Sequence, residues 1–90
     1  MAVMVTSDQP GMTQEMYDTV SREALPLLSK HPGFIAHAAW PIEGGWHVME
    51  IWASASEQAE AAQEIVVPRL PTELPPGDFR VQELYNLVRT

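Results

Sequence analysis

Short β-branched runs, one long helical period and a proline-rich break divide the chain into elements. "AVMVTS" at 2–7 is brief and β-branched, and "DQPG" follows with turn chemistry, so the pair reads as a strand and a loop. From there Met12, Met16, Val20, Ala24 and Leu27/Leu28 recur at helical spacing, with Thr13 placed to cap the first turn and Glu15 inside it. Pro26 removes a backbone donor, which predicts a kink or an early end near Ala24; "KHPG" then closes the element, with Gly33 suited to a left-handed conformation. "FIAHAAW" (34–40) and "WHVMEIWA" (46–53) read as two strands joined through "PIEGG", and Gly44-Gly45 suits a two-residue hairpin turn. "SASE" at 54–57 has capping-box spacing and starts a helix that the pattern carries to Val67. Four prolines between 68 and 76 leave only loop or single turns, and "FRVQELYNLVR" (79–89) is the closing strand.

The order β-α-β-β-α-β, without an internal repeat, predicts a single ferredoxin-like α+β domain over residues 1–90. Two helices would cover one face of a four-stranded antiparallel sheet. Side chains alternate across a strand, so the hairpin separates into two sets. With Gly44-Gly45 as the turn, Ala39 opposes Glu50 and His37 opposes Trp52. Phe34, Ala36, Ala38, Trp40, Met49 and Ile51 form a wholly apolar set, which is expected to face the helices. The other set is Ile35, His37, Ala39, Trp46, Val48, Glu50 and Trp52. If left in water, its indoles, Val48 and Ile35 would expose roughly 500 Å² of apolar surface. Covering that area is worth on the order of 10 kcal/mol as an upper bound. The expected cover is the same face of a second copy in a two-fold homodimer, which would enclose a cavity and turn Glu50 into it.

Composition narrows the partners. Twelve acidic residues against five basic give a formal net charge of −7, which repels phosphate backbones and anionic lipid, so neither nucleic acid nor a membrane is expected. With no cysteine, there is no disulfide framework, thiolate metal site or thiol nucleophile. No apolar run approaches the ~20 residues of a membrane span and no signal-peptide pattern opens the chain, so the expected location is the cytoplasm. The three histidines fall on a helix end and on different strand faces, which argues against a metal site. His31 beside Lys30 is explained by the helix dipole, and His47 by local hydrogen bonding on the helix side.

What remains is one imidazole and one carboxylate among aromatics. His37, oriented by Glu50, fits a general base near neutral pH. Trp46, Trp52, Val48 and Ile35 would wall a flat, apolar ligand. Tyr85 or Asn86 on the last strand would add a polar group.

These stretches resemble a known family. "HPGFIAHAAW", "GGWHVMEIWAS" running into a helix, and a closing "YNLV" are similar to the antibiotic-biosynthesis-monooxygenase-like proteins of the dimeric α/β-barrel superfamily. The motifs are Pro32-Gly33-Phe34 and Glu50-Ile51-Trp52-Ala53-Ser54. The resemblance covers almost the whole chain and implies a ferredoxin-like protomer whose sheets pair. It also implies a homodimer that binds small apolar or aromatic molecules, with cofactor-independent oxygenation of phenolic polyketides, cyclisation or haem degradation among the family's activities. In the haem-degrading branch a tryptophan like Trp52 works with an asparagine on the first strand and a histidine on the second helix. Neither partner is present here. The expectation is thus an oxidoreductase-like or cyclase-like enzyme needing neither metal nor cofactor; the alternative is a non-catalytic small-molecule-binding protein of the same fold.

Overall fold

The computed structural model describes residues 1–89. Strand β1 (Val3–Pro10) lies at the centre of the sheet, between β3 (Gly45–Trp52) and β4 (Asp78–Glu83), and β2 (Phe34–Ile42) is the far edge. All pairings are antiparallel in the order β2-β3-β1-β4, which is the ferredoxin-like arrangement. Helices α1 (Gln14–Leu28) and α2 (Ala55–Ala61) cross between strands and pack on one face. The core joins Val3 and Val5 of β1 to Val20, Ala24 and Leu28 of α1, Ala61 of α2 and Trp52, the largest fully buried side chain.

Several boundaries move for local reasons. β1 continues to Pro10 because Asp8, Gln9 and Pro10 pair with His47, Trp46 and Gly45. Thr13 caps α1, accepting from the Met16 N–H at 3.2 Å. The helix passes Pro26 and ends at Leu28 instead of near Ala24. Two residues remain beyond the proline, held down by Leu28 and finished by Ser29, whose N–H donates to the Leu25 carbonyl at 2.9 Å. Gly33 is not left-handed; a β-carbon there would meet the carboxyl group of Glu57, which would have to swing aside. Ser54 caps α2 as its spacing predicts: its Oγ accepts from the Glu57 N–H at 3.3 Å and donates to the Glu57 carboxylate at 3.0 Å. Regular helix stops at Ala61, followed by one wide π-type turn over Ala62–Val66 and a 3-10 turn over Val67–Arg69. Pro68 offers no N–H to the Glu64 carbonyl, so the ladder cannot continue unchanged.

The hairpin differs from expectation by two residues. Its turn is Glu43-Gly44, with only Gly44 at positive φ (76°), and Gly45 is already in the ladder opposite Ile42. Gly45 has no room for a β-carbon because the Gln9 carbonyl lies against it. A two-residue slip conserves faces, so the two sets hold, but His37 now stands directly opposite Glu50. A bulge between Phe34 and Ala36 removes Ile35 from the register and turns Phe34 edge-on to Trp52, at 5.4 Å between ring centroids.

The assignment of the sets to layers is reversed. The helices cover the face of His37, Trp46, Val48, Glu50 and Trp52, which continues through Val3 and Val5 of β1. The open face carries Met4, Ala36, Ala38, Trp40, Met49 and Ile51. Uniform apolarity was the wrong criterion. Bulk decides, because tryptophans fill the gap under two helices and alanines do not. His47 is likewise on the open face, where its Nδ1 meets Asp8 Oδ1 at 2.5 Å and its ring stacks on Trp40 at 4.6 Å. β4 is shorter than predicted because β1 runs out of partners: after Val3 opposite Glu83, the Leu84 N–H donates to the Ala2 carbonyl and pairing ends. Among the described residues, no helix is long and apolar enough to cross a membrane.

Candidate functional site

Cross-strand pairing places His37 of β2 against Glu50 of β3, and their side chains meet at 2.8 Å between Nδ1 and Oε2. Both are mostly buried, at 14% and 13% side-chain exposure. The other carboxylate oxygen accepts the indole N–H of Trp52 at 2.8 Å, an i, i+2 contact along one face of β3. From the helix layer, Tyr17 of α1 reaches His37 with 2.6 Å between its hydroxyl and Nε2. The four groups form one chain: indole, carboxylate, imidazole, phenol.

Hydrogen positions follow from valence. A carboxylate only accepts, so the imidazole hydrogen sits on Nδ1 and donates to Glu50. With one hydrogen on the ring, Nε2 is left to accept, and Tyr17 is the donor. Burial pushes the Tyr17 phenol above its ordinary value, and the nearby Glu50 charge and then Asp18 act in the same direction. The phenol therefore rests protonated. A carboxylate behind the imidazole favours the imidazolium that would form if His37 took up a proton.

The relay opens into a cavity of about 120 Å³ between sheet and helices, not between two sheets. Its apolar walls include Val5, Val20, Leu28, Val48, Trp52 and Val66. A dry cavity of ~150 Å³ holds one benzene, so this space matches a single ring. At one end Gln9, buried among the strands, donates to the Pro75 carbonyl at 2.6 Å and ties the proline-rich segment to β1.

Of the residues singled out from sequence, His37, Glu50 and Trp52 are brought into contact, and Val48 lines the same cavity. Trp46 stands behind them, stacked on Tyr17 at 5.5 Å, its own indole N–H buried without a partner among the described residues. Ile35 lies in the bulge and does not line the cavity. Tyr85 and Asn86 lie beyond β4 and are exposed, so within the protomer they do not join the site. His31 caps the turn into β2 by accepting from the Gly33 N–H at 3.1 Å and sets its ring edge against Trp52. Tyr17 went unnoticed in the pattern. Its signal was its spacing: Tyr17, Val20, Ala24 and Leu28 share the helix stripe that faces the sheet. Among the described residues, no cluster of three His, Asp or Glu side chains is placed to hold a metal ion.

No protein-family model and no curated protein matches the chain. Solved structures do. SnoaB, a cofactor-independent oxygenase from Streptomyces nogalater, is 14% identical over 99% of this chain and 97% of its own, with a TM-score of 0.69. A protein described as an antibiotic biosynthesis monooxygenase is 16% identical over 96% of this chain and 100% of its own, at 0.67. A MhuD variant with two manganese protoporphyrin IX molecules bound per active site is 14% identical over 98% of this chain and 99% of its own, also at 0.67. The chain has the fold of the antibiotic-biosynthesis-monooxygenase-like proteins, over essentially its full length.

Proposed function

We propose that the protein is a homodimeric enzyme of the antibiotic-biosynthesis-monooxygenase-like group. It binds a flat, apolar ring in the cavity under the helices and withdraws a proton from it without metal or cofactor. The observation that carries this reading is the Glu50–His37 pair, at 2.8 Å, on the wall of an otherwise apolar cavity. His37 is the base and Glu50 orients it. In the oxygenase version the ligand anion itself reduces dioxygen; in the cyclase version it attacks a carbonyl. Trp52 contributes a wall and holds Glu50, and Val48 sits on the cavity floor. Trp46 braces the relay from behind.

The fold of SnoaB supports the oxygenase version, since the two chains share a topology from end to end. The homodimer is supported by the apolar open face and by β4 and the segment after it, where Phe79, Val81, Tyr85 and Val88 are 61%, 56%, 101% and 80% exposed. One observation favours a non-catalytic binding protein: both ring nitrogens of His37 already have partners.

The test is a screen of single-ring and fused-ring phenols against the purified protein, followed by oxygen uptake and product mass with every ligand that binds. His37→Gln should keep ligand affinity within a few-fold and lower turnover at least ~100-fold, the usual weight of a positioned base. Full turnover in that variant removes His37 as the base. Binding without turnover of any ligand by the unmodified protein leaves the binding-protein reading.

A further inference from the structure

We propose that Tyr17, and not His37, is the group of the relay that touches the ligand, and that it selects a single-ring molecule bearing a hydroxyl. This rests on the cavity being a ligand site, as argued above. Every polar atom of the relay already has one partner within it, and among the relay's neutral groups the phenol oxygen keeps a free acceptor site. Nδ1 of His37 gives its hydrogen to Glu50, and Nε2 receives that of Tyr17. Both Glu50 oxygens have a donor, one from His37 and one from Trp52. Tyr17 has given away its hydrogen but keeps acceptor capacity, and its side chain is part of the cavity wall. What suits that oxygen is a donor.

Position and size add to the argument. The Tyr17 ring is nearly parallel to Trp46 (5.5 Å, 17°) and to His37 (6.1 Å, 21°), so it is held on a fixed axis instead of swinging. Of the other polar side chains at the wall, Gln9 is committed to the Pro75 carbonyl and Ser21 to the Asp18 carbonyl, whereas Ser7 and Gln58 lie on the wall away from the relay's hydrogen bonds. About 120 Å³ matches one ring beside the Tyr17 oxygen.

Proton transfer through this arrangement balances without a redox partner. The ligand O–H bond breaks and its proton joins the Tyr17 oxygen, while the original Tyr17 proton passes to His37 Nε2. The Nδ1–H bond to Glu50 is unchanged. The products are a ligand anion and an imidazolium whose charge Glu50 offsets. The burial that keeps the Tyr17 phenol protonated makes it a shuttle, since it never rests as an anion.

Phenol and toluene, which differ by a hydroxyl in place of a methyl, are titrated into the full-length protein and into Tyr17→Phe, with tryptophan fluorescence as the signal. Tyr17→Phe should lower the phenol-to-toluene affinity ratio roughly tenfold, the worth of one good hydrogen bond, while toluene affinity stays constant and reports an intact cavity. In the unmodified protein, phenol but not toluene should move the His37 imidazole nitrogen resonances. A ratio that changes less than about twofold, or His37 resonances that respond to both rings alike, overturns the role of Tyr17 and leaves the cavity reading standing. If neither ring binds the unmodified protein, the cavity reading falls and this inference with it.

Discussion

At the scale of single residues, Trp52 couples stability to the site. Its ring is 1% exposed and fills the middle of the core, while its indole N–H satisfies Glu50. Trp52→Phe keeps most of the packing but leaves one oxygen of a nearly buried carboxylate without a donor, which costs about 1–3 kcal/mol. Urea unfolding should show that loss with an unchanged slope, and the His37–Glu50 geometry should loosen. The motif Glu50-Ile51-Trp52-Ala53-Ser54 pointed to this position, and the alternation of β3 put Glu50 on the same side. The pairing of His37 with Glu50 was legible, but their directly opposed positions were not, because these depend on which two residues make the hairpin turn. Two adjacent glycines look equivalent in a sequence; only the Gln9 carbonyl, 36 positions away, decides that Gly45 belongs to the ladder.

Among elements, the turn into β2 lies close against the start of α2. The Glu57 side chain accepts from Ser54, which caps α2, and lies against the backbone of Gly33, where any β-carbon would collide. Gly33→Ala should therefore act as a helix-cap mutation at a distance, displacing Glu57 and costing about 1 kcal/mol, the usual worth of a lost cap. Adding Glu57→Ala should recover part of that loss, so the two effects should not sum in a denaturation cycle. Capping box, strand order and helix periods were legible because each is set by neighbours in the chain. Two things were not: the passage of α1 through Pro26, which depends on Leu28 being buried, and the end of β4, which depends on where β1 starts.

For the molecule as a whole, the decisive question is which face of the sheet meets the helices. The hairpin defines two sets of side chains, but one strand pair has no inside. Val3 and Val5, which pair beside Trp52 and Glu50, carry that information. The proposed dimer accordingly rests on the other face. Ala36 and Ala38 are small enough for a second sheet to approach, and Trp40, 46% exposed, stands at one edge. Ala38→Arg would set an unpaired charge on the β2 side of that contact. If the dimer uses this face, sedimentation should show association weakened roughly 100-fold or more, with the circular dichroism of the fold retained.

The proline-rich segment that Gln9 fastens to β1 has a kinetic consequence. Pro68, Pro71, Pro75 and Pro76 restrict the backbone before folding, so little freedom is left for a guest molecule to quench on arrival. A rim of that kind keeps its shape when vacant. Capture should then proceed at encounter-limited speed, with residence time, not entry, separating good guests from poor ones.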